Sequence, residues 1–109
     1  RYYYGDSMYI NTAEEISGIP ASWPGYNLDI GSSGQKVRQL QEQLNLIGEF
    51  YNAIPPVEPD GIYDEQTAEA VRKFQKIFDM PQTGVVDFAT WYQISGKYVA
   101  LSGIAELNP

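Results

Sequence analysis

The chain has 109 residues, enough for one domain with one hydrophobic core and too few for two. Hydrophobic residues make up 43% of the sequence and charged residues 19%, so the composition is that of a globular protein rather than a disordered one. Fourteen acidic residues against seven basic ones give a formal net charge of −7, which would repel DNA, RNA and an anionic membrane surface. No apolar run is long enough to span a membrane. The charge and the lack of such a run together predict that the chain has neither a nucleic-acid partner nor a membrane partner.

Neither cysteine nor histidine occurs in the chain, which excludes disulfides, thiol nucleophiles, the usual zinc sites and imidazole catalysis. Carboxylates remain as candidates, and Asp60 and Asp64 are close enough in sequence to form a glycosidase-type pair. Both positions, however, are those at which a turn and a helix N-cap favour Asp. The segment between them also lacks the alternating oxygen ligands of a calcium loop. The sequence predicts a domain without catalytic activity, metal or cofactor.

The first 27 residues are predicted to form an aromatic, loop-rich N-terminal extension or inter-domain linker. Thr12 and Glu15 have the spacing of a capping box, which predicts one short helix in this part. The chain opens without Met and without a signal-type apolar stretch. We therefore expect a segment of a longer protein whose targeting signal lies outside it.

Residues 28–109 are predicted to form one all-α domain of three helices. Ser33 is the expected N-cap of the first helix and Gly48 its expected C-cap. The apolar residues at helical spacing in this helix are Val37, Leu40, Leu44 and Ile47. Residues 51–59 follow as a long loop, because three of them are prolines.

The second and third helices have clear start signals. Asp64 is the expected N-cap of the second helix, which Pro81 is expected to end. Its apolar residues at helical spacing are Ala68, Val71, Phe74 and Phe78. Asp87 is expected to cap a third helix that carries Trp91 and Ile94 and continues to about Leu107.

The first two helices repeat one pattern at an offset of 34 residues. Residues with matching types in the two copies are Val37 and Val71, Leu40 and Phe74, Gln41 and Gln75, Leu44 and Phe78. An internal repeat implies two like units that pack against each other, since neither can bury its apolar face alone. The expected fold is a compact three-helix bundle with internal pseudo-symmetry.

Three motifs occur in order along the chain. They are Gly31-Ser32-Ser33-Gly34 with Val37, Leu40, Gln41 and Leu44; Asp60-Gly61-Ile62-Tyr63 with Thr67, Ala70, Val71, Phe74 and Gln75; and Thr83-Gly84-Val85-Val86-Asp87 with Thr90 and Trp91. Together they resemble the peptidoglycan-binding domain type 1 family over about residues 28–96. Two features depart from its pattern: Asp64 stands where Gly is usual, and the 51–59 loop is long, in a manner similar to tandem modules of clostridia-like bacteria.

The resemblance implies a non-catalytic module that targets or anchors a larger, multidomain bacterial protein on peptidoglycan. Such modules are appended to cell-wall hydrolases, amidases, cortex-lytic enzymes and transpeptidases. The implied partners are the glycan strand, the stem peptide and covalently linked neighbouring domains, and the implied location is extracellular, in the cell wall or spore cortex. The alternative is a structural spacer that keeps the fold but only packs against neighbouring domains.

The candidate ligand-binding residues lie where the 51–59 loop leads into the second helix. They are Asp60, Gly61, Ile62, Tyr63, Gln66 and Thr67, with Tyr51 opposite. Free backbone N–H groups at a helix start suit the carboxylate of a stem peptide, and a Tyr ring suits a sugar or an alkyl chain. Each residue also has a structural explanation: Asp60 and Gly61 would make a turn, and Ile62 would be buried.

Overall fold

The computed structural model describes residues 23–102 and contains three helices in that range. They are α1 (Gln35–Phe50), α2 (Glu65–Ile77) and α3 (Phe88–Ser102). Two isolated antiparallel bridges, Leu28 with Val86 and Ser33 with Ile62, are the β-type pairings within the same range. The predicted all-α fold with three helices is confirmed. The short helix expected after Thr12 and the continuation of α3 to Leu107 lie outside the described residues.

Both predicted ends of α1 are wrong. Its N-cap is Gly34, whose φ of 121° lies in a region that favours glycine, while Ser33 is held extended by its bridge to Ile62. The helix also continues through Gly48 to Phe50. A methyl group at Gly48 would lie 3.1 Å from the carbonyl oxygen of Ile54, so this glycine lets the following loop approach the helix.

The N-caps of α2 and α3 are the predicted ones. Asp64 Oδ1 accepts a hydrogen bond from the Thr67 N–H at 3.1 Å, and Asp87 Oδ1 accepts one from the Thr90 N–H at 2.9 Å. The end of α2 differs, because its last residue is Ile77. Asp79 then adopts a left-handed φ of 63°, so the chain leaves the helix before it reaches Pro81.

One core unites the three helices and the segments between them. Its fully buried hydrophobic members are Leu28, Val37, Leu40, Leu44, Ile47, Tyr63, Ala68, Ala70, Val71, Phe74, Val86, Trp91 and Ile94. The apolar residues predicted at helical spacing in α1, in α2 and at Trp91 and Ile94 of α3 are buried, except Phe78, which is half-buried. The backbone of α1 runs close to that of α3 and approaches α2 at few positions. The repeated helices are therefore not each other's main packing partners.

Two segments outside the helices are fastened to this core. The Asn45 side chain donates to the carbonyl of Val57 at 2.8 Å and accepts from the Val57 N–H at 2.9 Å, which fixes the Pro-rich connection. In the segment before α1, the Trp23 ring packs edge-on against Phe88 and Trp91 of α3. None of the helices in residues 23–102 has the length and apolar character needed to cross a membrane.

Candidate functional site

The turn at Asp60, Gly61 and Ile62 is held against the start of α1 by backbone hydrogen bonds. The Gly34 N–H donates to the Gly61 carbonyl at 2.9 Å, and the Tyr63 N–H donates to the Ser32 carbonyl at 2.9 Å. The Asp60 side chain accepts from the Ile62 N–H at 3.0 Å and so closes the turn. This strand-like pairing places the turn before α2 beside the first residues of α1.

The buried amide of Gln41 fixes the same turn from the inside. Its Oε1 accepts from the Gly61 N–H at 2.9 Å, and its Nε2 donates to the Ile62 carbonyl at 3.0 Å and to Thr67 Oγ1 at 2.9 Å. A buried side chain whose donors and acceptors are all used makes a rigid connection. The turn is thus a preformed feature of the surface.

Gln75 makes the matching set of bonds at the turn before α3. Its Oε1 accepts from the Gly84 N–H at 3.0 Å, and its Nε2 donates to the Val85 carbonyl and to Thr90 Oγ1, both at 3.1 Å. Both glutamines are members of the sequence repeat, but the repeat by itself does not indicate that they hold the two turns. The feature that could have indicated this role is a polar residue at a buried position in each copy of the repeat.

An open cleft of about 400 Å³ lies between the turn and α1. We call it the Asp60 cleft; it is lined by Ser33, Gly34, Gln35, Arg38, Asp60, Gly61 and Ile62. The Ile62 side chain is 55% exposed, and the Arg38 side chain is 57% exposed and pairs with Glu42 at 3.3 Å. The cleft is therefore lined by polar side chains, including one carboxylate, together with one apolar side chain and one cation.

Three of the predicted ligand-binding residues, Asp60, Gly61 and Ile62, come together in this cleft. The expectation that Ile62 is buried is wrong, because its side chain projects outward. Successive side chains of an extended segment point to opposite faces, and the next residue is accordingly the buried one. The four lining residues from α1 and the segment before it were not predicted.

Tyr63 and Thr67 cannot contact a ligand as predicted, since each is only 1% exposed. The Tyr63 hydroxyl donates to the Gly84 carbonyl at 2.5 Å, and the Thr67 hydroxyl accepts from Gln41. Both side chains therefore form hydrogen bonds in the interior of the domain, Tyr63 to Gly84 and Thr67 to Gln41. The Thr67 N–H, one of the donors expected to be free at the start of α2, is taken by Asp64.

The environment of Tyr63 keeps its hydroxyl protonated. Burial raises the pKa of this phenol well above its usual value near 10, and the negative charge of Asp29 adds to the increase. The positive charge of Arg72 acts in the opposite direction but does not cancel it. A Tyr held in this state is a stable donor to Gly84 rather than an acid or base.

Tyr51 and Gln66 are not on the wall of the Asp60 cleft. Tyr51 follows the last residue of α1 and packs its ring against Phe78, with centroids 5.2 Å apart. The cleft adjoins the other end of this 16-residue helix, which spans roughly 24 Å at about 1.5 Å per residue. Gln66 is exposed in the first turn of α2.

No group of three or more acidic side chains in residues 23–102 is arranged to hold a metal ion. Residues 33–94 match the family described as "Putative peptidoglycan binding domain", and the chain belongs to this family. The resemblance recognised from the three motifs is confirmed.

The fold is similar to that of a solved domain. A crystal structure of the SleB N-terminal domain superposes with a TM-score of 0.60 at 26% sequence identity. The match covers 70% of this chain and 97% of that one. The match therefore spans nearly the whole of the SleB domain.

Proposed function

We propose that this domain is a non-catalytic module that binds peptidoglycan through the Asp60 cleft and thereby targets or anchors a larger, multidomain protein. The observation that carries the proposal is the preformed turn at Asp60, Gly61 and Ile62, which Gln41 fixes beside α1. Membership of a peptidoglycan-binding family supports the ligand class. The partners are the glycan strand, the stem peptide and covalently linked neighbouring domains, and the location is the cell wall or spore cortex.

The cleft is open and shallow, so binding at a single site should be weak and reversible. A small contact area gives modest affinity, because association also costs translational and rotational freedom. A larger protein that carries several such modules would bind firmly through effective concentration.

Co-sedimentation with insoluble peptidoglycan tests the proposal. We expect the parent domain to pellet and Ile62→Ala to bind about fivefold more weakly, since roughly 1 kcal/mol of apolar contact is removed. Phe50→Ala is the matched control, because Phe50 is 56% exposed and lies outside the cleft. If Ile62→Ala and Phe50→Ala bind peptidoglycan equally well, the binding site does not include Ile62. A parent domain that stays in solution with peptidoglycan from several bacterial types would refute the function.

The isolated domain should not cleave peptidoglycan. The Asp60 and Asp64 side chains are both engaged with backbone N–H groups, as turn and helix caps, and the chain lacks histidine and cysteine. We expect no release of reducing ends or free amines from purified peptidoglycan by the clean domain. Release that disappears on Asp60→Asn would contradict this prediction.

The alternative function, a spacer that packs against neighbouring domains, is favoured by one feature of α3. Phe88, Tyr92 and Val99 are exposed large hydrophobic residues, and their spacing of four and seven places them along one face of this helix. Failure of the parent domain to pellet with peptidoglycan would favour this spacer function.

A further inference from the structure

Arg38 and Arg72 occupy matching positions of the internal repeat. Each follows the first valine of its copy and precedes the buried glutamine by three residues. The turns fixed by the two glutamines place Gly61 beside Arg38 and Gly84 beside Arg72. The domain therefore contains the same combination of arginine, turn and glutamine twice.

At the second position, the arginine itself fills the space over the turn. A methyl group at Gly84 would lie 2.8 Å from Arg72 Nη1 and 3.2 Å from Arg72 Cγ, so the guanidinium and its stem cover this glycine. Glu65 and Glu69 both bind Arg72 Nη2, and the side chain is 31% exposed. Hydrogen bonds to Glu69 and Glu65 raise the pKa of Arg72 further, which keeps its charge committed to these carboxylates.

At the first position the arginine leaves the turn uncovered. A methyl group at Gly61 would meet the Gly34 carbonyl oxygen at 3.0 Å, and the nearest Arg38 atom would be Cβ at 3.8 Å. The Arg38 guanidinium instead pairs with Glu42 at 3.3 Å, and both side chains are more than half exposed. Exposed pairs of this kind contribute little to stability, so replacing Glu42 by another carboxylate costs Arg38 little.

We infer that Arg38 gives the Asp60 cleft its specificity by binding a carboxylate of the ligand, in exchange for its pair with Glu42. This inference rests on the proposed function and deepens it. A guanidinium binds a carboxylate through two parallel N–H donors, which fixes orientation as well as charge. In a chain of net charge −7 with Asp60 on the cleft wall, an anionic group needs such a cation to approach. The carboxylates that peptidoglycan offers are those of its stem peptides.

The test compares two substitutions with two forms of the ligand. Peptidoglycan is used untreated and after its carboxyl groups have been converted to amides with carbodiimide and methylamine. We expect Arg38→Gln to weaken binding of untreated peptidoglycan about fivefold, and amidation to weaken binding of the parent domain by a similar factor. Amidation should change binding of Arg38→Gln little, because the two changes remove one shared interaction. Arg72→Gln is the matched control and should bind untreated peptidoglycan like the parent domain.

The outcomes separate the inference from the proposed function. If the parent domain pellets and Arg38→Gln binds equally well, or if amidation weakens both proteins by the same factor, the role of Arg38 is refuted while peptidoglycan binding stands. If the parent domain does not pellet with untreated peptidoglycan, both fail. Far-UV circular dichroism of Arg38→Gln should match the parent domain, since the exposed side chain contributes little to folding.

Discussion

Replacement of Phe74 by alanine is expected to lower the free energy of unfolding by about 3–5 kcal/mol. The Phe74 side chain is completely buried and packs against the Phe78 ring, with centroids 4.7 Å apart. Its loss would leave a cavity in the centre of the core, and the cost is a large share of the roughly 5–15 kcal/mol typical of a domain. Leu40, the matching residue of the first copy, is also completely buried, and Leu40→Ala should cost about 2–5 kcal/mol.

Urea unfolding followed by circular dichroism measures both effects. Phe50→Ala is the control, because more than half of the Phe50 side chain is exposed and its truncation should change stability by about 0.5 kcal/mol or less. If Phe74→Ala and Leu40→Ala both unfold at the urea concentration of the parent domain, the two copies do not supply the core.

The helices could be predicted because their apolar spacing and caps are local in sequence. Asp64 and Asp87 cap α2 and α3 as expected, and each needs only the residues that follow it. The ends of α1 depend on residues outside the helix. Ser33 is drawn out of the cap position by Ile62, which is distant in sequence, and Gly48 remains helical because the loop that follows α1 folds back and places Ile54 beside it.

The site was harder to predict because its parts come from separate segments. The turn at Asp60 and Gly61 can be located from the sequence, whereas the burial of Tyr63 cannot, because Tyr63 lies off the helical spacing of α1 and α2. Residues between helices follow the alternation of an extended chain instead, and this puts Ile62 outside and Tyr63 inside. The sequence repeat does not distinguish Arg38 from Arg72. The two arginines differ in their carboxylate partners, because Arg38 pairs with Glu42 whereas Arg72 pairs with Glu65 and Glu69.

Tyr63→Ala is expected to destabilise the domain by about 3–5 kcal/mol, as removal of a fully buried aromatic ring does. The variant would lose peptidoglycan binding through unfolding, so it cannot report on the ligand site. Tyr63→Phe keeps the ring but leaves the Gly84 carbonyl without its hydroxyl donor, which should cost about 1–3 kcal/mol. Urea unfolding near pH 7 checks both values.

The pH dependence of the unfolding free energy, compared between the parent domain and Tyr63→Phe, separates the contribution of the hydroxyl from that of the ring. Because burial raises the pKa of Tyr63 above that of the unfolded chain, the native domain keeps this proton after the unfolded chain has lost it. The stability that the hydroxyl contributes is therefore complete below the unfolded pKa of about 10 and declines as the pH rises above it. The difference in unfolding free energy between the parent domain and Tyr63→Phe should be constant from about pH 7 to pH 9 and shrink above about pH 10, by up to about 1.4 kcal/mol per pH unit. A difference that stays constant through this range would mean that the Tyr63 hydroxyl is not the buried donor to Gly84.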